Sequence, residues 1–329
     1  MNVTAVDYHT AGEPFRIVTG GIPPIPGATI LDKRRWVAEH LDHVRKLLVY
    51  EPRGHADMYG CFIVEPNDVG ADLGVIFFHN AGYSTACGHG TIALATYALD
   101  SGLVQLREPE TELMLDVPSG RLAIVVSCDN GKVQRVRFRN VPAFVFAEGL
   151  RVETARGEVA ADVSYGGAFY ASVEASMLGL AVEPRHIPAL IEAGREIKHA
   201  LEAANEFVHP DEPELRDVYG VIFWQDEGPP FHQRNVTVFA DGEVDRSPCG
   251  SGTSARLALL DASGSLPRGE TLVHSSVIGT TFEARVVEAA DVAGRPAVVT
   301  EIEGRAHRTG VHEFVLEPED ELGAGFLLR

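Results

Sequence analysis

The sequence predicts a mixed α/β protein of two similar halves, and three observations carry that reading. Ser84–Ala95 (STACGHGTIALA) and Ser247–Ala258 (SPCGSGTSARLA) share one pattern, Cys-Gly-x-Gly-Thr running into an apolar helical stretch. Each copy follows a strand-like run, Val75–Phe78 (VIFF) in the first and Val236–Phe239 (VTVF) in the second. Each precedes a β-rich stretch holding a glycine, Leu113–Val126 around Gly120 and Leu272–Val287 around Gly279. Strand, cysteine turn, central helix and further strands are thus used twice.

Taken in chain order, the first strand spans Val3–Asp7 and leads into the polar turn His9–Pro14 (HTAGEP). Trp36, Val37, Leu41, Val44 and Leu47 recur at helical spacing, which predicts one helix over Lys33–Leu48. Strand-like runs follow at Cys61–Val64, Gly74–Phe78, Glu112–Val117, Arg121–Ser127 and Val133–Phe138. The helix after Cys87 is expected from about Gly90 to Ser101, stopped by Gly102, and its counterpart from about Gly252 to Asp261. Ala143–Phe146 reads as another strand, and the polar Glu148–Glu158 marks the midpoint. Glu183–Phe207, opening after Pro184, is the longest helical stretch, and His209–Glu214 (HPDEPE) is a charged loop. The expected division is a first lobe over 1–150 carrying Cys87 and a second over 151–329 carrying Cys249. The C-terminal segment has the option of packing back on the first lobe. No low-complexity linker separates the halves, so they are expected to pack with both cysteine turns facing one cleft.

Composition narrows the function classes. An apolar content of 45% and a charged content of 23% are those of an ordinary globular protein. No apolar run is long enough to span a bilayer, and the first residues lack a signal-peptide pattern, so a cytoplasmic protein is expected. A formal net charge of −19 argues against nucleic acid or an anionic membrane as partner. Backbone dipoles still allow an acidic protein to bind a small anionic substrate. Four scattered cysteines, Cys61, Cys87, Cys128 and Cys249, do not form a disulfide framework.

The duplicated turn points to chemistry. A cysteine at a strand-to-helix turn has its sulfur near the positive end of a helix, which favours thiolate. The glycines let a ligand approach the backbone, so the amides of Gly88, His89 and Gly90, with those of Gly250, Ser251 and Gly252, are candidates to grip a carboxylate. One thiolate and one thiol on opposite faces of a carbon would suit stereochemical inversion. Other readings fit less well. No zinc-ligand spacing occurs near the turns, and neither turn matches a nucleotide fingerprint. Pyridoxal phosphate needs a lysine, and Lys33, Lys46, Lys132 and Lys198 all lie outside the motifs. A Cys87–His89 hydrolase dyad leaves Cys249 idle, and side chains two apart at a helix mouth generally point apart. The expected reaction therefore uses neither cofactor nor metal. Asp245 is either a loop aspartate pairing with Arg246 or the acceptor for a substrate ammonium. His89 is either a packing residue or a substrate contact. Cys61 and Cys128 sit in apolar strand-like runs and read as core.

On these residues the chain resembles the proline racemase family, which includes proline racemases, 4-hydroxyproline 2-epimerases and trans-3-hydroxy-L-proline dehydratases. The matching motifs are His9–Pro14 (HTAGEP), Arg53–Gly60 (RGHADMYG), Gly70–Gly74 (GADLG), Cys87–Ala93 (CGHGTIA), Ser164–Tyr170 (SYGGAFY) and Asp245–Ala255 (DRSPCGSGTSA), spread over nearly the whole chain. The resemblance implies a diaminopimelate-epimerase-like fold, two α/β lobes each with a β-barrel-like sheet around a central helix, and no cofactor or metal. It implies Cys87 and Cys249 as the acid/base pair and the amides of Gly88, His89, Gly250 and Ser251 as the carboxylate cradle. Asp245 and the His89 side chain then lie near the substrate nitrogen, with Tyr59 and Phe239 as aromatic walls against the ring. The implied activity is inversion of proline or hydroxyproline at the α-carbon, with dehydration of trans-3-hydroxy-L-proline as the alternative. His79–Gly88 (HNAGYSTACG) resembles the dehydratase branch and some broad-specificity racemases more than typical 4-hydroxyproline epimerases, whereas Cys249 stands where dehydratases usually carry threonine. The expected partner is a small molecule, and a homodimer is compatible with the sequence.

Overall fold

The computed structural model of the chain describes residues 1–328. Strands dominate it, and the chain divides into two compact units. One is Met1–Val136 together with the segment from Arg305 onward; the other is Arg137–Gly304.

The first unit opens with the antiparallel hairpin β1 (Asn2–Thr10) and β2 (Glu13–Gly20). Its turn residues, Ala11 and Gly12, both take positive φ, 52° and 94°, the sense that suits strand twist across a two-residue turn. The expected helix over Lys33–Leu48 is in fact two: α1 (Ile30–His40), closed by a Thr29–Asp32 capping box, and α2 (Asp42–Val49). Leu41 leaves the helical region at φ −120°, ψ 11°, and Asp42 restarts the helix by pairing with Arg45 and Lys46. Leu41 remains buried, so the apolar period runs across the break. Next come β3 (Tyr59–Val64), β4 (Leu73–His79), β5 (Gly82–Ser84), α3 (Gly88–Asp100), β6 (Glu110–Val117) and β7 (Gly120–Asp129). β8 (Lys132–Arg139) carries the chain into the second unit.

That unit contains β9 (Ala143–Thr154), β10 (Gly157–Tyr165), β11 (Phe169–Glu174), α4 (Ile187–Ala204), β12 (Val218–Gly228), β13 (His232–Phe239) and β14 (Glu243–Val244). It continues through α5 (Gly250–Ala262), β15 (Leu272–Ser276), β16 (Thr281–Val292) and β17 (Arg295–Gly304). β18 (Ala306–Val315) belongs to the first unit, where it pairs antiparallel with β1. The polar Glu148–Glu158 is not a connection but the turn and flanks of the β9–β10 hairpin; its side chains are largely exposed, which is why they are polar. The predicted Glu183–Phe207 helix shortens to a 3-10 turn and α4, with Pro188 in the first helical turn.

The internal repeat is a repeat of pairing. In the first unit β2 runs parallel to β3, β3 antiparallel to β4, β4 antiparallel to β5 and parallel to β6, and β6 antiparallel to β7. In the second, β11, β12, β13, β14, β15 and β16 repeat those relations in the same order. In each unit the helix that starts at the cysteine turn, α3 or α5, is buried along nearly its whole length. Strands β1, β2, β7 and β18 pack on α3, and β9, β10, β11, β16 and β17 pack on α5. A helix apolar on all sides needs this enclosure. Both helices begin at the first glycine of the motif, two residues earlier than expected.

Cys61 (0% exposed) in β3 and Cys128 (5%) in β7 are core residues. Replacing either with alanine is expected to cost about 1–2 kcal/mol in urea denaturation and to leave the catalytic rate of the folded protein unchanged.

Candidate active site

Each unit carries one of the two cysteine turns at the start of its buried helix. In the first, Cys87 is the N-cap of α3, extended at φ −156° and ψ 98°, and its sulfur accepts the Gly90 amide at 3.3 Å. Thr91 closes the turn by donating to the Cys87 carbonyl at 2.9 Å, and Thr10 donates to the His89 carbonyl at 2.9 Å. Gly90 is required for space: a Cβ there would lie 2.4 Å from the Phe15 ring.

His89 lies closer to Cys87 than expected. Its Nε2 and Nδ1 are 3.5 and 3.6 Å from the sulfur, because the N-cap residue is extended and helical spacing does not apply to it. Both ring nitrogens are within hydrogen-bonding reach of the sulfur, so neither is singled out as its partner. The ring packs edge-on against Tyr59 at 4.9 Å and Phe15 at 5.6 Å. Burial pushes the imidazole down to about 3, so it is neutral at physiological pH and a poor base. The Tyr59 hydroxyl donates to Ser84 Oγ.

In the second unit, Cys249 is the residue before α5 and has φ 61°, in the region that favours glycine. A non-glycine residue held there stores strain on the order of 1–3 kcal/mol, a feature that concentrates at functional sites. The loop that holds it is hydrogen-bonded in series: Ser247 N–H donates to Asp245 Oδ1 at 2.8 Å, and Cys249 N–H donates to Ser247 Oγ at 3.1 Å. The Cys249 thiol donates to the Tyr170 hydroxyl oxygen at 3.8 Å, the Thr237 hydroxyl lies nearby without forming a hydrogen bond, and the Gly252 amide falls short of cap-bond geometry. Tyr170 also shares a hydrogen bond of 2.7 Å with Ser251 Oγ.

Burial and the charge of Asp245 push the Cys249 thiol up to about 12, against the opposing pull of the nearby Thr237, Gly252 and Tyr170. Burial likewise raises Asp245 to about 6, although its bonds to Ser247 oppose the rise. Phe239 is buried and stacks on Tyr219 at 5.5 Å, and Tyr219 meets Tyr170 edge-on at 5.7 Å.

One expected carboxylate donor is otherwise engaged: the Gly90 amide is bonded to the Cys87 sulfur, as third-position amides are toward an N-cap side chain, whereas Cys249 receives no such cap bond from Gly252. Gly88, His89, Gly250 and Ser251 supply the remaining first-turn amides, a position without an intrahelical partner. The structure adds Tyr170, Thr237, Ser247 and Tyr219, which sequence reasoning left out. Tyr219 was signalled, because Tyr59-Gly60 and Tyr219-Gly220 are the same dipeptide in the same pairing, Gly60 opposite Arg16 and Gly220 opposite Tyr170. Among the described residues no group of three or more His, Cys, Asp and Glu has metal-holding geometry, and no helix is long and apolar enough to cross a membrane.

Known proteins match the chain along almost its whole length. The proline racemase family model matches residues 5–327. A trans-3-hydroxy-L-proline dehydratase of Bacillus cereus is 44% identical over 326 residues, covering 99% of this chain and 98% of that protein. A 3-hydroxyproline 2-epimerase of Burkholderia multivorans is 46% identical over 330 residues, covering 100% and 98%. The crystal structure of a hydroxyproline epimerase from Agrobacterium vitis with bound trans-4-hydroxy-L-proline matches at a TM-score of 0.93 and 36% identity, over 99% of this chain and 96% of that one.

Proposed function

The chain belongs to the proline racemase family, and from that premise we propose that it inverts proline or a hydroxyproline at the α-carbon with Cys87 and Cys249 as the acid/base pair. The observation that carries the reading is the matched setting of the two cysteines: each opens a buried helix after the same order of strand pairings. Two equivalent sulfurs suit a reaction that must treat both faces of one carbon alike.

The chemical difficulty is the weak acidity of an amino-acid α-proton. Amides of Gly88, His89, Gly250 and Ser251 are placed to hold the substrate carboxylate and stabilise the charge that grows there in the transition state. One oriented donor of that kind contributes roughly 3–4 kcal/mol. Asp245 keeps the substrate nitrogen cationic, which acidifies the α-carbon further. Its own burial cost is relieved when the ammonium arrives. Tyr59 and Phe239 serve as apolar walls for the ring.

A thiolate then takes the α-proton and the opposite thiol delivers one to the other face, leaving the two sulfurs with exchanged protonation. Cys249, held near 12 by burial and Asp245, rests as the thiol, so Cys87 is the base in that state. For the opposite enantiomer Cys249 must carry the charge. Tyr170 serves both states, since its hydroxyl oxygen accepts from the thiol and its proton can be donated to the thiolate. Tyr170→Phe is therefore expected to slow inversion about tenfold, more strongly in the direction that uses Cys249 as base, measured as kcat for each enantiomer.

Dehydration of trans-3-hydroxy-L-proline is the second reading, favoured by the 44% identity to a dehydratase of that substrate. It uses the same first half: a cysteine removes the α-proton and the 3-hydroxyl leaves with a proton as water. Cys249 favours inversion, because elimination needs no second base. L-proline, trans-4-hydroxy-L-proline and trans-3-hydroxy-L-proline incubated in D₂O and followed by NMR separate the two. Inversion gives the epimer with deuterium at the α-carbon; dehydration gives an imine that a reductant traps. Rapid dehydration of the 3-hydroxy compound, with the other two unchanged, would overturn the racemase reading.

A further inference from the structure

Two turns along α5 from Cys249, Arg256 is 5% exposed and forms no ion pair among the described residues. Its Nε donates to Gln233 Oε1 at 3.0 Å, and its guanidinium lies over Trp224, with Cζ 3.9 Å from the ring centroid. Its terminal nitrogens donate no hydrogen bond to the described residues. Asp162 and Glu174 act on it only at longer range, and desolvation lowers it to about 10. A buried guanidinium costs several kcal/mol unless its donors are met, so one left open toward a cavity is a binding group in waiting.

The cavity is there. Arg256 lines a pocket of about 660 Å³ within the second unit, its other walls being Trp224, Phe231, Leu260, Leu266 and Leu272. A concave, largely apolar wall with one fixed cation is the ordinary form of a site for a small amphipathic ligand. Two carboxylates, Glu174 and Asp226, also line it. They repel a polyanion such as a phosphate ester and attract a ligand that brings a cation of its own. Cation, anions and apolar wall together match one chemistry.

We infer that this pocket binds a free α-amino acid with an apolar side chain, its carboxylate on Arg256 and its ammonium toward Glu174 and Asp226. The site is separate from the one assigned to inversion and shares no residue with it, so it stands whether or not the racemase reading does. Arg256 supplies a planar, preorganised fork for the carboxylate, and its stacking on Trp224 fixes the plane of that fork.

The indole of Trp224 is the reporter. The chain has two tryptophans, so Trp36→Phe leaves Trp224 alone to be read by fluorescence. L-leucine is expected to give a saturable change in emission that survives Cys87→Ala and is not competed by trans-4-hydroxy-L-proline. 4-Methylpentanoate, which lacks the ammonium, should bind about tenfold more weakly, and 3-methylbutylamine, which lacks the carboxylate, should not bind. Arg256→Gln should abolish the leucine response. Should that variant fail to fold, Asp226→Asn on the exposed hairpin decides instead: it should weaken leucine several-fold and leave 4-methylpentanoate unchanged. An absent or unsaturable leucine response, equal binding of the amine, competition by the hydroxyproline, or a leucine affinity indifferent to Asp226→Asn would each overturn the assignment.

Discussion

Cys249→Ala is expected to abolish inversion while leaving exchange of the α-proton in one enantiomer. With only Cys87 present, a base can still remove the proton from the face it reaches and return a solvent-derived proton to that same face. Deuterium then enters the substrate without change of configuration, and the other enantiomer stays protonated. Cys87→Ala should give the mirror outcome. General acid or base groups contribute roughly 10²–10⁴-fold each, so inversion should fall by at least about 10³-fold in either variant. Chiral chromatography follows inversion and NMR in D₂O follows exchange, on one sample. Inversion retained in either variant, or exchange in both enantiomers of a single-cysteine variant, would refute the two-base assignment. Cys249→Thr sharpens the test, since a dehydratase-like half-reaction needs only one cysteine. It should eliminate inversion and permit dehydration of the 3-hydroxy substrate if Cys87 is the base of that step.

Those cysteines were legible in the sequence because the pattern around them is short, local and used twice. Glycines at fixed offsets, a strand before and an apolar helix after, are features that residue identity alone reveals. What was not legible depends on chain reversals and on neighbours distant in sequence. The break at Leu41 is hidden because the residue stays buried and the apolar period continues through it. The β9–β10 hairpin is hidden because its exposed polar side chains give Glu148–Glu158 no strand-like apolar pattern. Tyr170 and Thr237 reach the Cys249 sulfur from β11 and β13, so no spacing announces them. The Cys87–His89 contact was misjudged because helical geometry was applied to a residue that is still extended. The Tyr-Gly repeat shows that a motif search limited to the cysteine turns stopped one element too early.

Asp245→Asn is expected to stabilise the fold at alkaline pH and to remove activity, a combination that a merely structural aspartate would not give. Burial raises the Asp245 carboxyl from 3.8 to about 6, so the folded protein favours its neutral form more than the unfolded chain does. For a raised acid, the stabilising contribution is complete below the unfolded value near 3.8 and is lost as pH climbs through about 6. At pH 8 the folded enzyme therefore holds a buried charge at a cost on the order of 3 kcal/mol relative to a neutral group. Asparagine keeps the oxygen that accepts the Ser247 amide and removes that charge. Urea denaturation at pH 5 and pH 8 should show the variant gaining on the native protein by roughly 1–1.5 kcal/mol between the two. In the proposed mechanism the incoming ammonium neutralises that charge, the role of a binding group rather than a packing one. Hence turnover should fall steeply in the variant, while a saturating substrate should stabilise the native enzyme more than it does Asp245→Asn. An unchanged turnover, or a variant less stable than the native protein at pH 8, would return Asp245 to the role of a loop acceptor.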